Sequence, residues 1–378
     1  MLNINNMKTK FWLANVFLSV LFLSACDSTM ELKSDNQEKV ETQKSLKVSL
    51  NESLGDLSNA VDMISNSEEF KLLGKIGQSD MQNESGAQNA PGFWNDSVKI
   101  MLSDVSGVYE YSWKWVKSPP YGIWRFFERT ADNDHMIVRI PVQKVRDYYY
   151  LFLYRPNDTT LTNNFEADVH DYMLFRSFEK GLEYRLGANL KIDSTNIGAV
   201  TIQSTRNKVN GRNYLSEYNL GNGFIVTNRE NSGDTAVSVY SISKDDKMLY
   251  EENISTYRVS SENRRRERIY SLTIGDVKIV REMGPYSLDS AKVYVAGVLQ
   301  LNAKVEIVVN ETEGEEVGLT NKKRDILITF DDGTSTTIRE LKGNTIENIA
   351  EIFKSVRQAG FATHIIDRIA ANIYWSKN

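Results

Sequence analysis

Leu186, Ala188, Leu190 and Ile192 alternate with Gly187, Asn189, Lys191 and Asp193. That is the two-residue period of a β-strand with one buried and one wet face. Asp193-Ser194-Thr195-Asn196 then supplies turn chemistry, and Val200 and Ile202 resume the apolar face. The same tempo runs through Asn210-Gly211, Gly221-Asn222-Gly223, Asn231-Ser232-Gly233-Asp234 and Lys244-Asp245-Asp246-Lys247, each flanked by short β-rich runs. Strands spaced by roughly 8–12 residues and joined by such turns predict antiparallel hairpins in series. Further strands are expected at 269–274, 277–281, 292–301, 303–309 and 326–330, with Asp331-Asp332-Gly333 turning into 334–340. A flat open sheet does not hold that many strands. The body, residues 94–342, is therefore expected to be a large curled antiparallel β-meander, either a sandwich or an incomplete barrel.

The flanks have another period. Leu50, Leu54, Leu57, Val61 and Ile64 recur at helical spacing and predict a helix over about 52–66, with a further turn through Phe70 and Leu73. This helical segment, 48–77, is read as a stalk or docking element because the polar stretch 78–93, from Gln78 to Pro91 and just beyond, has the composition of a linker. At the other end Asn344 or Thr345 can cap a helix whose apolar side is Ile346, Ile349, Phe353 and Val356. Gly360 suits a left-handed stop. Ile365, Ile366, Ile369, Ala370 and Ile373 then give a second helix, so 343–378 is expected to be a C-terminal helical pair covering the sheet. The predicted class is α+β, mainly β.

Composition closes several chemistries. The net charge of −5 gives no field that would draw in a nucleic-acid backbone, and nucleic acid is not an expected partner. The single cysteine, Cys26, allows no internal disulfide and no thiolate metal cluster. It stands behind Lys8 and Lys10, an apolar run from Phe11 to Leu23, and the small pair Ser24-Ala25. That is the order of a secretory signal, and the apolar part is short for a membrane span of about 20 residues.

Leu23-Ser24-Ala25-Cys26 resembles the lipobox of bacterial lipoproteins, in which the cysteine is acylated through sulfur, with palmitate among the chains added, and becomes the first mature residue. The resemblance covers about the first 26 residues. It implies a signal peptide over 1–25, a lipidated tether over 26–47, and a membrane as partner through the N-terminal lipid. Each buried methylene contributes about 0.8 kcal/mol, so several acyl chains anchor firmly. The tether's scattered Glu31, Lys33, Asp35, Glu38, Lys39, Glu41 and Lys44 carry no apolar stripe and read as disordered. The lipobox, tether and Tyr-rich β body together resemble envelope lipoproteins of Bacteroides-like bacteria, which implies an outer-membrane address. Asp27 resembles an inner-membrane retention signal of enteric-type bacteria. Periplasmic and outward-facing attachment both stay open.

Three stretches are candidates for function. In VYEYSWKWV, Tyr109, Tyr111, Trp113 and Trp115 share one face of a strand, and Trp124 follows after a return. Rings in such rows ordinarily pack a core; exposed, they would stack on sugar, and glycan capture is common among the lipoproteins resembled here. In DYYYLFLYRP both faces are apolar, with Tyr148, Tyr150, Phe152 and Tyr154 against Tyr149, Leu151 and Leu153. Such a strand lies centrally or lines a cavity that could hold an apolar ligand, as incomplete barrels of periplasmic carriers do. In FEADVHDY, Glu166, Asp168 and His170 share a side, with Asp171 adjacent. They could ligate a divalent metal or make His170 a general base, against a bland reading as a solvated edge.

The remaining histidines, His135 in a turn-like DNDHM and His364 near the start of the last helix, read as surface or capping residues. G-x-S-x-G, G-x-G-x-x-G and Walker patterns are absent, and no cofactor is expected. Arg264 to Ile269, RRRERI, reads as the wet end of a hairpin. The expected role is binding or assembly, of glycan, surface polymer or another envelope protein. The alternatives are a carrier with a cavity inside the curled sheet, then a hydrolase or metal enzyme around His170.

Overall fold

Helix α1, Leu46–Asn66, is the first described element, capped by Ser45, whose hydroxyl accepts from the Val48 N–H. Ser67 both ends α1 and caps α2, Glu68–Lys75: its hydroxyl donates to the Ile64 carbonyl and accepts from the Phe70 N–H. The chain continues through β1 (Val98–Met101), the short helix α3 (Leu102–Val105), β2 (Gly107–Tyr111), β3 (Phe127–Ala131), β4 (Met136–Ile140), β5 (Phe165–Ser177), β6 (Gly181–Ile192), β7 (Thr195–Asn207) and β8 (Gly211–Gly221). Then come β9 (Phe224–Ser232), β10 (Thr235–Lys244), β11 (Lys247–Arg258), β12 (Arg266–Ile274), β13 (Val277–Met283), β14 (Ala291–Val295) and β15 (Val298–Leu299). After β16 (Lys304–Thr312), β17 (Asn321–Thr329) and β18 (Ser335–Thr337) comes the last helix, α4 (Thr345–Lys377). The structure is a computed structural model; it describes residues 45–76, 97–112, 126–145, 160–177, 179–207, 209, 211–233, 235–258, 266–283, 291–312, 321–337, 340 and 345–377. All of these lie in the unit Lys44–Asn378.

The first fifteen strands form one sheet that does not close, in the order β15 back through β4, then β2 and β3, with β1 added against β5. From β5 to β15 every neighbour in space is the neighbour in sequence, so the expected meander is present. One pairing departs from it: β2 runs parallel to β4, because β3 takes the edge position and leaves β4 to reach β2 by a longer return, and the sheet is mixed. Strands β16, β17 and β18 make a separate three-stranded sheet.

Turn chemistry sets the register. Asp193-Ser194, Asn222-Gly223, Asp245-Asp246 and Ala296-Gly297 each have both central residues at positive φ, the twist-matched geometry of two-residue hairpins. Ala296 is not a turn-former by type, which is why 292–301 reads as one strand in the sequence and is in fact the hairpin β14–β15. Gly275, at φ +52, opens the β12–β13 turn. These five turns, between β6–β7, β8–β9, β10–β11, β12–β13 and β14–β15, all lie at one end of the sheet.

One face of the sheet is covered and the other is open. On the covered face Leu186, Ala188, Leu190 and Ile192 of β6 sit beside Val200 and Ile202 of β7, followed across the strands by Tyr218, Val226, Ile242, Tyr250, Ile274, Val277 and Val295, all buried. Helix α1 packs Leu46, Leu50, Leu54, Leu57, Val61 and Ile64 into that core and touches β11, β12 and β13. It is a core element and not a stalk, because burying each of these side chains stabilises by about 1.5–3 kcal/mol and no other surface offers that burial. Two turns fasten to it: the Asp276 N–H donates to Ser53 Oγ at 3.3 Å, and Lys247 pairs with Asp56 at 2.9 Å. Lys47 ties the start of α1 to the β17–β18 turn through Asp332 and Thr334.

Both C-terminal helical stripes are present and cover the sheet. They join through Gly360 into one run, so Gly360 is not the left-handed stop it resembles; Thr363 donates to the Gly360 carbonyl at 2.6 Å inside the helix. Phe353 meets Tyr240 and Tyr250 of β10 and β11 with ring centroids 5.7 and 6.2 Å away, and residues further along α4 reach β5 and β6. The helix therefore crosses the covered face obliquely.

Gly275 and Gly297 separate two causes of a glycine requirement. Both have positive φ, but a Cβ on Gly275 would meet Ser53 Oγ and Cβ of α1 at 2.6 and 2.8 Å, whereas one on Gly297 meets nothing within 4 Å. Gly297→Ala is expected to cost about 1 kcal/mol from backbone strain alone, and Gly275→Ala roughly 1–3 kcal/mol more through the clash with α1. Urea denaturation of the two variants measures the difference.

Candidate functional site

The aromatic row splits. Tyr109 and Tyr111 of β2 are 1% and 7% exposed, within the core. Tyr111 stacks on Phe126 and meets Phe127 edge-on, with centroids 6.1 and 5.9 Å away, and the Tyr109 hydroxyl donates to the Ser106 carbonyl. A stacking platform needs wet rings, so these two tyrosines are packing residues, as rows of this kind ordinarily are. Trp113, Trp115 and Trp124 lie outside the described residues, as do Tyr148 to Tyr154 and Cys26.

FEADVHDY forms the start of β5, and its polar side chains do line the open face. Their partners, however, come from other strands. Glu110 of β2, Arg139 of β4, Glu166 of β5 and Lys191 of β6 stand opposite one another in register and join at 2.9, 2.9 and 3.0 Å, an alternating ladder four strands wide. Burial pushes the Glu166 carboxyl up, but hydrogen bonds from Lys191 and Arg139 more than offset it and hold it below the usual range. Arg139 is held above its ordinary value chiefly by the bonds to Glu166 and Glu110.

Asp168 accepts from or shares a proton with His135 Nδ1 at 2.7 Å. His170 is the extra residue of a β-bulge between Val169 and Asp171; it is exposed, with its ring centroid 6.3 Å from that of His135. Gly187 opposite leaves room for the ring, since a Cβ there would come within 3.0 Å of His170 Nε2. Asp168 takes His135 as its partner and Glu166 takes Arg139 and Lys191, so the expected Glu166–Asp168–His170 constellation is not joined by hydrogen bonds. Among the described residues no group of three or more His, Cys, Asp or Glu could hold a metal ion. His135, which sequence reading passed over, is the residue that engages Asp168.

A second polar cluster was not legible in the sequence. The hydroxyls of Tyr172 on β5 and Tyr184 on β6 both donate to Asp367 Oδ1 of α4, at 3.1 and 3.0 Å. Burial pushes the Asp367 carboxyl up to about 6, against the pull of the two tyrosine donors and Arg368. Burial and the neighbouring carboxylate push both phenols well above their ordinary value. His364, one turn earlier, is half-buried inside the helix, not a capping residue near its start, and burial pushes its imidazole down.

On the far ends of β7 to β10 lies a half-open depression of about 450 Å³, lined by Gln203, Thr205, Asn213, Leu215, Arg229, Asn231 and Val237 among others. Asn231 Nδ2 donates to Asn213 Oδ1 at 2.7 Å and Asn213 Nδ2 to Thr205 Oγ1 at 3.4 Å, a cross-strand ladder of amides and hydroxyl around Leu215 and Val237. Such groups bind by hydrogen bonding and apolar contact, with Arg229 and Glu230 also on the lining. No family model, curated protein or solved structure matches this chain.

The Asp367 seam has a pH signature. Its carboxyl is raised in the fold, so its contribution is most favourable below the unfolded value of 3.8 and is lost as pH rises through about 6. Asp367→Asn keeps an acceptor for both tyrosines and removes the charge. The variant is expected to melt above the parent chain at about pH 7.5, with the gap narrowing by about pH 5; scanning calorimetry at the two pH values checks this.

Proposed function

We propose that this chain is a lipid-anchored, non-catalytic binding protein of the bacterial cell envelope that captures glycan or surface polymer. The address comes from the order of Lys8 and Lys10, the apolar run, Ser24-Ala25 and Cys26. Among the described residues no helix is long and apolar enough to cross a membrane, and the acyl group on Cys26 supplies the attachment.

The observation that carries the binding reading is how the open face is used. Over β2 to β6 its acids and bases pair with one another in the Glu110–Arg139–Glu166–Lys191 ladder and the His135–Asp168 pair. What it offers a ligand is a depression of amides, a hydroxyl, an arginine and two aliphatic side chains. That chemistry suits a hydroxyl-rich polymer, where each amide can donate and accept at once. Trp113, Trp115 and Trp124 remain the proposed stacking rings beside Tyr-rich packing.

A second reading, a carrier of an apolar ligand, is favoured by one feature: the sheet is not closed, and helix α4 lies obliquely across its covered face beside α1. An apolar ligand would then take the place of α4.

Mass spectrometry of the mature protein tests the address: the N-terminal residue is expected to be Cys26 bearing a thioether-linked lipid, and an unmodified thiol or another N-terminus overturns it. A glycan array probed with the full chain in detergent tests the binding. Capture is expected to fall at least about tenfold in Trp113→Ala/Trp115→Ala, a loss of stacking on two rings. Organic extraction that recovers stoichiometric lipid from the protein, with a blank array, would favour the carrier.

A further inference from the structure

The covered face becomes solvent-exposed toward the end opposite the tight turns, where Arg206, Arg212 and Arg268 stand. A single cross-strand row runs along it. Arg206 of β7 stands directly opposite Arg212 of β8. The Arg212 N–H donates to Ser232 Oγ of β9; Ser232 is opposite Ala236 of β10, Ala236 opposite Thr256 of β11, and Thr256 opposite Arg268 of β12. The row therefore reads Arg, Arg, Ser, Ala, Thr, Arg: basic at both ends and small between. Arg206, Arg212 and Arg268 are exposed, and none has an acidic partner within ion-pair distance among the described residues.

Like charges placed directly opposite in a sheet are destabilising. Nothing in the packing requires Arg206 and Arg212 to face each other, since both side chains are wet. Arg212 lies over the Tyr214 ring, its guanidinium carbon 5.2 Å from the centroid, which holds it against the face. Among the described side chains, the charged groups one row inward are Glu230 of β9, opposite Tyr214, and Arg281 of β13, opposite Tyr270. One acid among these arginines leaves the row basic in a chain whose net charge is −5.

We propose that this row is a binding groove for an extended anionic polymer, one that bears sulfate, phosphate or carboxylate groups along its length. From β8 to β12 is four inter-strand steps, about 19 Å at roughly 4.8 Å per step. A lone phosphate cannot bridge that distance; a linear chain with repeated anionic groups meets Arg206 and Arg212 at one end and Arg268 at the other, lying over Ser232, Ala236 and Thr256. The row lies on the other face of the sheet from the amide-lined depression and goes beyond the binding reading above; its failure is separable, because charge-dependent capture and Trp113/Trp115-dependent capture are read independently.

The test uses the full chain in neutral detergent, fluorescent heparin as the linear polyanion, and phosphatidylcholine vesicles with and without phosphatidylglycerol. Heparin binding is expected to weaken as salt rises, with the slope of log affinity against log salt reduced by about one for each arginine removed. Arg206→Gln/Arg212→Gln is expected to lose at least about tenfold in affinity, and Arg268→Gln a smaller but measurable factor. The single Arg206→Gln is expected to melt at the same temperature or about 1–2 °C higher, because it relieves repulsion. A lower melting temperature would assign the pair a structural role and overturn the proposal. So would heparin affinity unchanged in the double variant, or arginine-dependent binding to phosphatidylglycerol vesicles alone.

Discussion

An apolar face spread over fifteen strands that do not close has no partner within its own sheet, and something else in the chain must cover it. Everything in this structure follows from how that cover is supplied. The residues on either side of the meander in sequence provide it: α1 from before the first strand and α4 from after the last. The tight turns along one end of the sheet are spaced by the hairpins, and they meet α1 through Ser53 and Asp56. The oblique run of α4 carries it from Tyr250 on β11 to Tyr184 on β6.

The cover divides the polar groups into two populations. Those on the open face can be solvated, and they settle into exposed or half-exposed pairs worth little individually; the four-strand ladder is ordered by register more than by energy. Those under α4 must find partners or bear desolvation. Asp367 is the clearest case: two phenols converge on one carboxylate oxygen, and the carboxyl still sits above its ordinary range. The same stretch of helix carries Thr363, which bonds back onto the Gly360 carbonyl. The cover leaves the open face and the arginine-bearing end of the covered face exposed to solvent.

Much of the architecture was legible in the sequence for a local reason. Strand alternation at 186–192 and turn doublets such as Asn222-Gly223 and Asp245-Asp246 act over a few residues, so their consequence, a long meander, can be read without knowing the fold. What failed depends on distance. The apolar stripe of α1 is the same whether it faces solvent-side partners or a core, and the contact that decides, Ser53 with Asp276, spans 223 residues. Asp367 looks like the wet side of a helix until Tyr172 and Tyr184, 195 and 183 residues away, are placed beneath it. Strict alternation puts Asp168 and His170 on one side, but the partner Asp168 takes is His135, 33 residues earlier, and the bulge at His170 carries no signal in the alternation. Ala296 in a turn, and the parallel β2–β4 pairing, carry no local signal at all.

Native-state hydrogen exchange followed by mass spectrometry on the full chain tests most directly whether the two flanking helices complete the fold. Amides of α1, between Leu50 and Ile64, and of α4, around Ile365 to Ile373, are expected to exchange only with the global opening that releases β6 to β11, at one shared free energy. Exchange of either helix by an independent, much cheaper opening while the sheet stays protected would contradict the account, because the face it buries would then be stable without its cover.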